Sequence, residues 1–271
     1  MKKTIFITGT SSGLGKLTAK YFAEQGWNVA ATMRSPERET ELNAYENIKI
    51  FKLDVTKKDE VETAIADALK TFDKIDVVVN NAGMGTYGAL ELANEDDIDW
   101  QFAVNVRGPI NVIRAILPHF REIGGGKIIN ISSWMGLTTA VPVGSLYNMS
   151  KFALEGLTEG LYYELKPLNI DLHLIEQGGS SDNNFQHNIT WNTNPSINAY
   201  DAIVNKVKEV FANSDRGLDD PMDIVSVIYS LATGENKKFR NVIGKMGNDL
   251  LAMRSALPIE QYLENIASNY G

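Results

Sequence analysis

Between Lys3 and Ala23 the chain passes from a short apolar strand (Lys3 to Thr8), through the turn TGTSSGLG, into a helix with Leu17, Phe22 and Ala23 inward. A strand that ends in glycines and restarts as a helix is the opening of a βαβ unit, the setting a phosphate-binding fingerprint requires. Gly9 permits a tight turn, Gly13 lets backbone approach a pyrophosphate, and Gly15 lets helix and strand touch. The helix start adds backbone N–H groups and the positive end of a dipole. Ser11, Ser12 and Leu14, between these glycines, join them as candidate contacts.

The same alternation continues. Trp27 to Met33 reads as a second strand, and Ile48 to Leu53 as a third that ends in Asp54 and Val55. Val61, Ala64, Ile65, Ala68, Leu69 and Phe72 mark an amphipathic crossover helix. Ile75 to Val79 is apolar enough for a buried fourth strand and runs into Asn80-Asn81-Ala82-Gly83. A helix over Ile98 to Phe120 carries Asn105 on an apolar face, a costly place for an amide unless it is bonded. Lys127 to Ser133 is the fifth strand, Tyr147 to Leu165 a helix, Ile170 to Ile175 the sixth strand, and Asn241 to Gly244 the last. Helices are expected over Ile203 to Val210, Ile224 to Leu231 and Leu250 to Tyr262. Strand and helix in alternation imply an α/β protein with a Rossmann-type, doubly wound parallel sheet of about seven strands and its ligand at their carboxyl ends. No repeat or low-complexity linker divides residues 1–271, so a single domain is expected. The polar stretch near 183–220 reads as a substrate lid, whose Phe185, Trp191 and Tyr200 either line a pocket or pin the loop.

Tyr147 and Lys151 lie one helical turn apart, on one face. A phenol with a reference pKa near ~10 is a poor acid or base at neutral pH, and a fixed ammonium within about 4–6 Å favours its ionised form. The expectation is that Lys151, helped by an oxidised nicotinamide ring, acidifies Tyr147. On its own this spacing also fits two surface residues. Composition narrows the choices: the chain has no cysteine, which excludes disulfides, thiolate metal sites and a cysteine nucleophile. Its net charge of −8 argues against nucleic acid as a partner. No run approaches the roughly 18 apolar residues of a membrane span, so a cytoplasmic protein is expected. His119, His173 and His187 are scattered without metal-ligand spacing, so no metal site is expected.

Gly9, Gly13 and Gly15 in the order TGxxxGxG, the NNAG of residues 80–83, Asn105, Ser133 and the Tyr147/Lys151 pair together resemble the short-chain dehydrogenase/reductase family. The resemblance runs to about Asp182 and implies a reversible NADP(H)-dependent reduction of a ketone or aldehyde to an alcohol. It makes Tyr147 the general acid/base, Ser133 the residue that orients the carbonyl oxygen, Lys151 the holder of the nicotinamide ribose, and Asn105 the residue that holds a water in a proton relay. It sets Asn81, Ala82 and Gly83 beside the ribose and Asp54, with Val55, at the adenine edge, helix capping being the alternative for Asp54. Arg34 follows the second strand where an acidic residue would read a ribose 2′-hydroxyl; a guanidinium suits a 2′-phosphate, so NADP(H) is preferred to NAD(H). The sequence departs from the family after the sixth strand. Gln177 replaces a proline, and the slot of a threonine that meets the nicotinamide falls on Asp182, with Ser180 or Ser181 as substitutes. ATMR and YNMSKFALEGL look closest to hydroxysteroid and retinol dehydrogenases. Met84, Trp134, Leu137 and Val141 suggest a mouth for a hydrophobic alcohol or ketone, or a subunit contact. Small residues Ala153, Gly156 and Gly160 on the Tyr147 helix suggest a homodimer or homotetramer. The rival is a protein that senses NADP(H) without turnover.

Overall fold

The computed structural model describes residues 2–180, 189–212 and 218–270. In chain order it runs β1 (Thr4–Thr8), α1 (Gly13–Glu24), β2 (Asn28–Met33), β3 (Ile48–Lys52), α2 (Lys58–Phe72), β4 (Val77–Asn80) and β5 (Thr86–Tyr87). Then follow α3 (Glu95–Phe102), α4 (Gly108–Glu122), β6 (Gly126–Ile131), α5 (Ser145–Leu165), β7 (Ile170–Glu176) and β8 (Thr190–Trp191). The chain ends with α6 (Asp201–Ala212), α7 (Pro221–Thr233), β9 (Arg240–Val242), α8 (Gly244–Ala256) and α9 (Ile259–Ser268).

Seven strands form one parallel sheet in the order β3, β2, β1, β4, β6, β7, β9. Both faces are covered, which is why the central strands read as unbroken apolar runs. Alternation sorts their side chains: Ile5, Ile7, Val77, Val79 and Ile129 pack with α1 and α7, whereas Phe6, Val78 and Ile128 pack with α2, α4 and α5. The chain works outward from β1 to β3 and then crosses back to β4. That reversal opens a crevice at the carboxyl ends of β1 and β4, where an open α/β sheet takes its ligand.

Two expectations change here. The helix anticipated over Ile98 to Phe120 is interrupted: α3 and α4 are joined by a π turn, Ala103–Arg107, which contains Asn105. The helical tail anticipated over Leu250 to Tyr262 is two helices, α8 and α9, and Gly244, placed in the last strand, opens α8 with φ of 74°. No helix of the described residues is long and apolar enough to cross a membrane. A third apolar cluster joins these C-terminal helices to the sheet's open end, with Tyr262 wholly buried among Trp134, Met135 and Ile266.

Candidate active site

The glycine turn is shaped by close contact. Gly9 has φ of 70°, and a Cβ there would lie 2.9 Å from the Ala82 Cα. A Cβ on Gly15 would lie 2.3 Å from the Gly9 oxygen and 2.4 Å from Asn81 Nδ2. Thr8 ties this turn to the end of β4, its hydroxyl accepting from Asn81 N at 2.9 Å and Ala82 N at 3.0 Å. Asn81 Nδ2 returns bonds to the Thr8 and Gly9 oxygens. The N-terminus of α1 is left open, with no side-chain cap from Ser12 and no acid in its first turn.

A cleft of about 640 Å³ runs from this turn along the strand ends. Gly9, Ser11 to Gly15, Arg34, Asp54, Val55, Asn81 to Gly83, Ser133, Tyr147 and Lys151 all line it. Arg34 is exposed and has no ion pair among the described residues. Asp54 does not cap α2; its Oδ1 accepts from Thr56 N at 3.0 Å and Thr56 Oγ1 at 2.7 Å.

At the other end Tyr147 and Lys151 are both buried, on the cleft face of α5. Tyr147 hydrogen-bonds the Ser133 hydroxyl, and its ring stacks on Tyr87 with centroids 5.5 Å apart. Ser133 lies just past β6, its hydroxyl also accepting from Met135 N at 3.1 Å. Lys151 Nζ donates to the Ile131 oxygen at 2.9 Å and sits 5.7 Å from the centroid of the Tyr147 ring.

Of the two charges expected to acidify Tyr147, the one the chain itself supplies, Lys151, does not outweigh burial. Burial drives the phenol above its ordinary range, and the Ser133 hydrogen bond opposes it. Burial likewise pushes Lys151 down to about 8, opposed by the Glu155 carboxylate. Helical spacing puts phenol and ammonium on one face, and burial sets the direction of both shifts.

Asn105 stands behind the cleft wall. Its Oδ1 accepts from Met84 N at 3.0 Å, and Nδ2 donates to the Met84 oxygen at 2.9 Å and to Ser150 Oγ at 3.1 Å. Both N–H donors of the amide are thereby used to tie the loop after β4 to α5. A Cβ on Gly83 would lie 3.5 Å from Asn105 Oδ1 and 3.9 Å from Lys151 Nζ, so that bare glycine separates the two.

The whole arrangement has counterparts. The family model for short chain dehydrogenases matches residues 3–193. The chain belongs to the short-chain dehydrogenase/reductase family. A 3-ketodihydrosphingosine reductase of Bacteroides thetaiotaomicron is 35% identical over 259 residues, covering 94% of this chain and 93% of that protein. A short-chain dehydrogenase of Streptomyces avermitilis superposes with a TM-score of 0.83 at 29% identity, over 98% of this chain and 95% of its own. ElxO, solved with NADP bound, gives 0.75 at 28% identity over 90% and 97%.

The residues present fit a dinucleotide of that kind. Gly9, Gly13 and Gly15 expose backbone to the cleft where the turn meets α1. Elsewhere on the cleft wall, Ser180 Oγ, Gln177 Oε1 and Trp134 Nε1 are buried with no hydrogen-bond partner among the described residues. Ser180 is held by a parallel bridge to Asp219, while Ser181 and Asp182 lie outside the described residues.

Of the anticipated mouth, Met84, Trp134 and Val141 line the cleft and Leu137 does not. Part of the expected lid, including Phe185, lies outside the described residues; from the rest, Val210 and Phe211 of α6 reach the cleft. Trp191 packs behind Tyr87, and Tyr200 pins the surface through Glu91 at 2.6 Å. Sequence reasoning missed Tyr87 and the wall made by Leu250, Ile266 and Tyr270. Only the four-residue spacing of Tyr262 and Ile266 hinted that α9 has a buried face.

Proposed function

We propose that this chain catalyses the reversible, NADP(H)-dependent reduction of a ketone or aldehyde on an apolar molecule. The observation that carries the reading is the convergence of the Tyr147 and Ser133 hydroxyls and the Lys151 ammonium on the wall of the cleft that begins at the glycine turn. When bound, NADPH supplies the hydride. The chain's own residues do the rest. Ser133 and Tyr147 donate hydrogen bonds to the carbonyl oxygen, and Tyr147 gives its proton as negative charge grows there. Burial suits this, because a phenol kept protonated is ready to donate in the reductive direction. Lys151 then stabilises the phenolate left behind and binds the nicotinamide ribose. Asn105 positions Met84 and α5 around that pair. Arg34 meets the 2′-phosphate, Asp54 the adenine edge, and Ser180 the nicotinamide amide.

The apolar wall favours a hydrophobic substrate, and 3-ketodihydrosphingosine is the first to test, given the Bacteroides relative's name. On the outer face of α5, Gly156 and Gly160 are open, and Met149 and Phe152 are exposed, which supports pairing of this helix in a homodimer or homotetramer. Purified protein mixed with NADPH and a panel of apolar ketones should consume nicotinamide absorbance. Tyr147→Phe should lower turnover by ~10²–10⁴-fold while sparing NADPH binding. A variant that kept most of its rate would remove Tyr147 from the chemistry. NADPH binding without turnover on any ketone or secondary alcohol would favour a sensing role.

A further inference from the structure

Tyr147 is backed by a second tyrosine that the reaction just described does not use. Tyr87 lies on β5, is 2% exposed, and stacks on the Tyr147 ring with centroids 5.5 Å apart and planes 29° from parallel. Its hydroxyl donates to Met135 Sδ at 3.3 Å, two residues beyond Ser133. Around it stand Phe211 of α6, edge-on with centroids 5.2 Å apart, and Trp191, its register partner on β8, at 5.8 Å. Tyr87 is thus held by its neighbours, and Tyr147 rests against it.

Departures in the backbone converge on this contact. Val143 has φ of 53°, a left-handed conformation that a β-branched residue adopts only at a cost. Its oxygen accepts from Gly88 N at 2.8 Å, which pins the loop entering α5 to the residue after Tyr87. Gly144, the N-cap of α5, has no side chain where a Cβ would stand 2.9 Å from Met135 Cε and 3.1 Å from Tyr87 Cε1. Gly88, with φ of 123°, is bare where a Cβ would stand 2.8 Å from the Asn192 Cβ and oxygen. Asn192 N in turn donates to the Tyr87 oxygen at 2.7 Å. Strain of this kind persists only where the surroundings over-determine it, and it gathers at functional sites. Here it secures the approach of β5 to the first turn of α5, the turn that carries Tyr147. Filling space beside α5 would need only an aliphatic side chain on a relaxed backbone.

We propose that Tyr87 is a positioning residue: its ring face sets the plane of the Tyr147 ring and so aims the phenolic proton at the substrate carbonyl. The role in turnover rests on the function proposed above; the ring contact does not. The Ser133 hydrogen bond holds the oxygen end of Tyr147 and leaves the ring free to turn about its own axis. That rotation matters for a proton donor. A phenolic O–H lies in the plane of its ring, because the oxygen lone pair conjugates with the ring, so the ring plane decides where the proton points. A stacked aromatic neighbour favours a defined plane, and an aliphatic one of similar bulk does not.

The test separates ring face, hydroxyl and bulk. Tyr87→Phe keeps the face and loses the sulfur contact, whereas Tyr87→Leu keeps apolar bulk and loses the face. With NADPH and an apolar ketone, Tyr87→Phe should stay within about twofold of wild-type kcat. Tyr87→Leu should lose roughly 10–100-fold in kcat, the scale for a small misplacement of a reacting group, with KM changing far less and NADPH affinity unchanged. Its solvent deuterium isotope effect on kcat should rise, because proton transfer from Tyr147 has become slower. A packing defect that merely loosened substrate binding would raise KM and leave that isotope effect alone. In a Tyr147→Phe background, Tyr87→Leu should cost nothing further, since the two residues act as one unit. Wild-type kcat in Tyr87→Leu overturns the proposal, and so does an equal loss in Tyr87→Phe, which would assign the effect to the hydroxyl.

A further reading does not depend on whether Tyr87→Leu folds. In wild-type protein without cofactor, the isotope-labelled Tyr147 ring, assigned by its absence in Tyr147→Phe, should give separate NMR signals for its two edges, as a ring held in one plane does. A single averaged signal overturns the proposal. Protein whose Tyr147 ring is held in this way yet turns over no ketone sinks the assigned reaction, and with it the part of Tyr87 in turnover, while the ring contact stands.

Discussion

Replacing Glu155 with glutamine should change how stability depends on pH, in a way that isolates one buried carboxyl. Burial, and then Glu176, raise this group from its ordinary 4.5 to about 7 in the folded protein. At about 1.36 kcal/mol per unit, that difference is worth roughly 3 kcal/mol. Its sign follows from proton counts. Between the two values the native protein holds a proton that the unfolded chain has released, so stability falls as pH rises from 4.5 to 7. Glutamine has no proton to lose. The stability of Glu155→Gln relative to wild type should therefore climb by roughly 3 kcal/mol across that window, on top of a constant offset from the altered contact with Arg240. Lys151 acts in the opposite sense: its folded value is lowered from 10.5 to about 8, so its burial cost is relieved only as pH rises through that higher range. Urea unfolding of both proteins at closely spaced pH values, stopping short of 8, gives the two curves. Titrating groups that do not interact with Glu155 are common to both and cancel in the difference. Parallel curves would mean that Glu155 ionises without penalty, and the reasoning from its burial would be wrong.

Other outcomes follow from the same coordinates. Arg34→Ala should weaken NADPH binding by roughly 5–30-fold, the worth of ~1–2 kcal/mol for an exposed charge-assisted contact, and leave NADH nearly unchanged; equal losses for both would take Arg34 away from the 2′-phosphate. Gly15→Ala drives a methyl group to within 2.3 Å of the Gly9 oxygen, so the turn must open. Dinucleotide affinity, measured by fluorescence titration, should fall about tenfold or more for ~1–3 kcal/mol of strain, and wild-type affinity would show that the turn yields freely. Tyr262→Ala empties a wholly buried site and removes the acceptor for Thr139 N, 3.2 Å away. The loss should be ~3–5 kcal/mol by urea unfolding, and a loss below ~1 kcal/mol would mean that α9 docks only loosely.

Much of the fold could be read because a doubly wound sheet repeats one local event. Each central strand is buried on both faces, so Val77 to Val79 and Ile128 to Ile131 announce themselves by composition alone, and their ends fall within two residues of the expected ones. The π turn at Asn105 could not be read that way. Its extra residue is held by tertiary bonds from Met84 and Ser150 to the side chain, and a helical periodicity carries no trace of those. The C-terminal helices were visible as helices but not as a wall of the cleft. That placement depends on Tyr262 meeting Thr139, residues 123 apart in the chain.

The site shows the same division, and it bears on how far motif reading can go. Motifs brought the glycine turn, Ser133, Tyr147 and Lys151 to one cleft because their positions are set by strand ends and one helical turn, both local. The sign of the pKa shifts depends on what else is nearby and on how much water remains, and neither is local. Lys151 and Glu155 are one turn apart on α5, yet Lys151 Nζ bonds the Ile131 oxygen and Glu155 pairs with Arg240. The residue that makes Glu155 tenable is Arg240, 85 residues further on, brought there only when β9 adds to the sheet beside β7. A sequence can thus name the residues that line a cleft like this one, but the buried charges packed beyond them come together only where β9 lies beside β7.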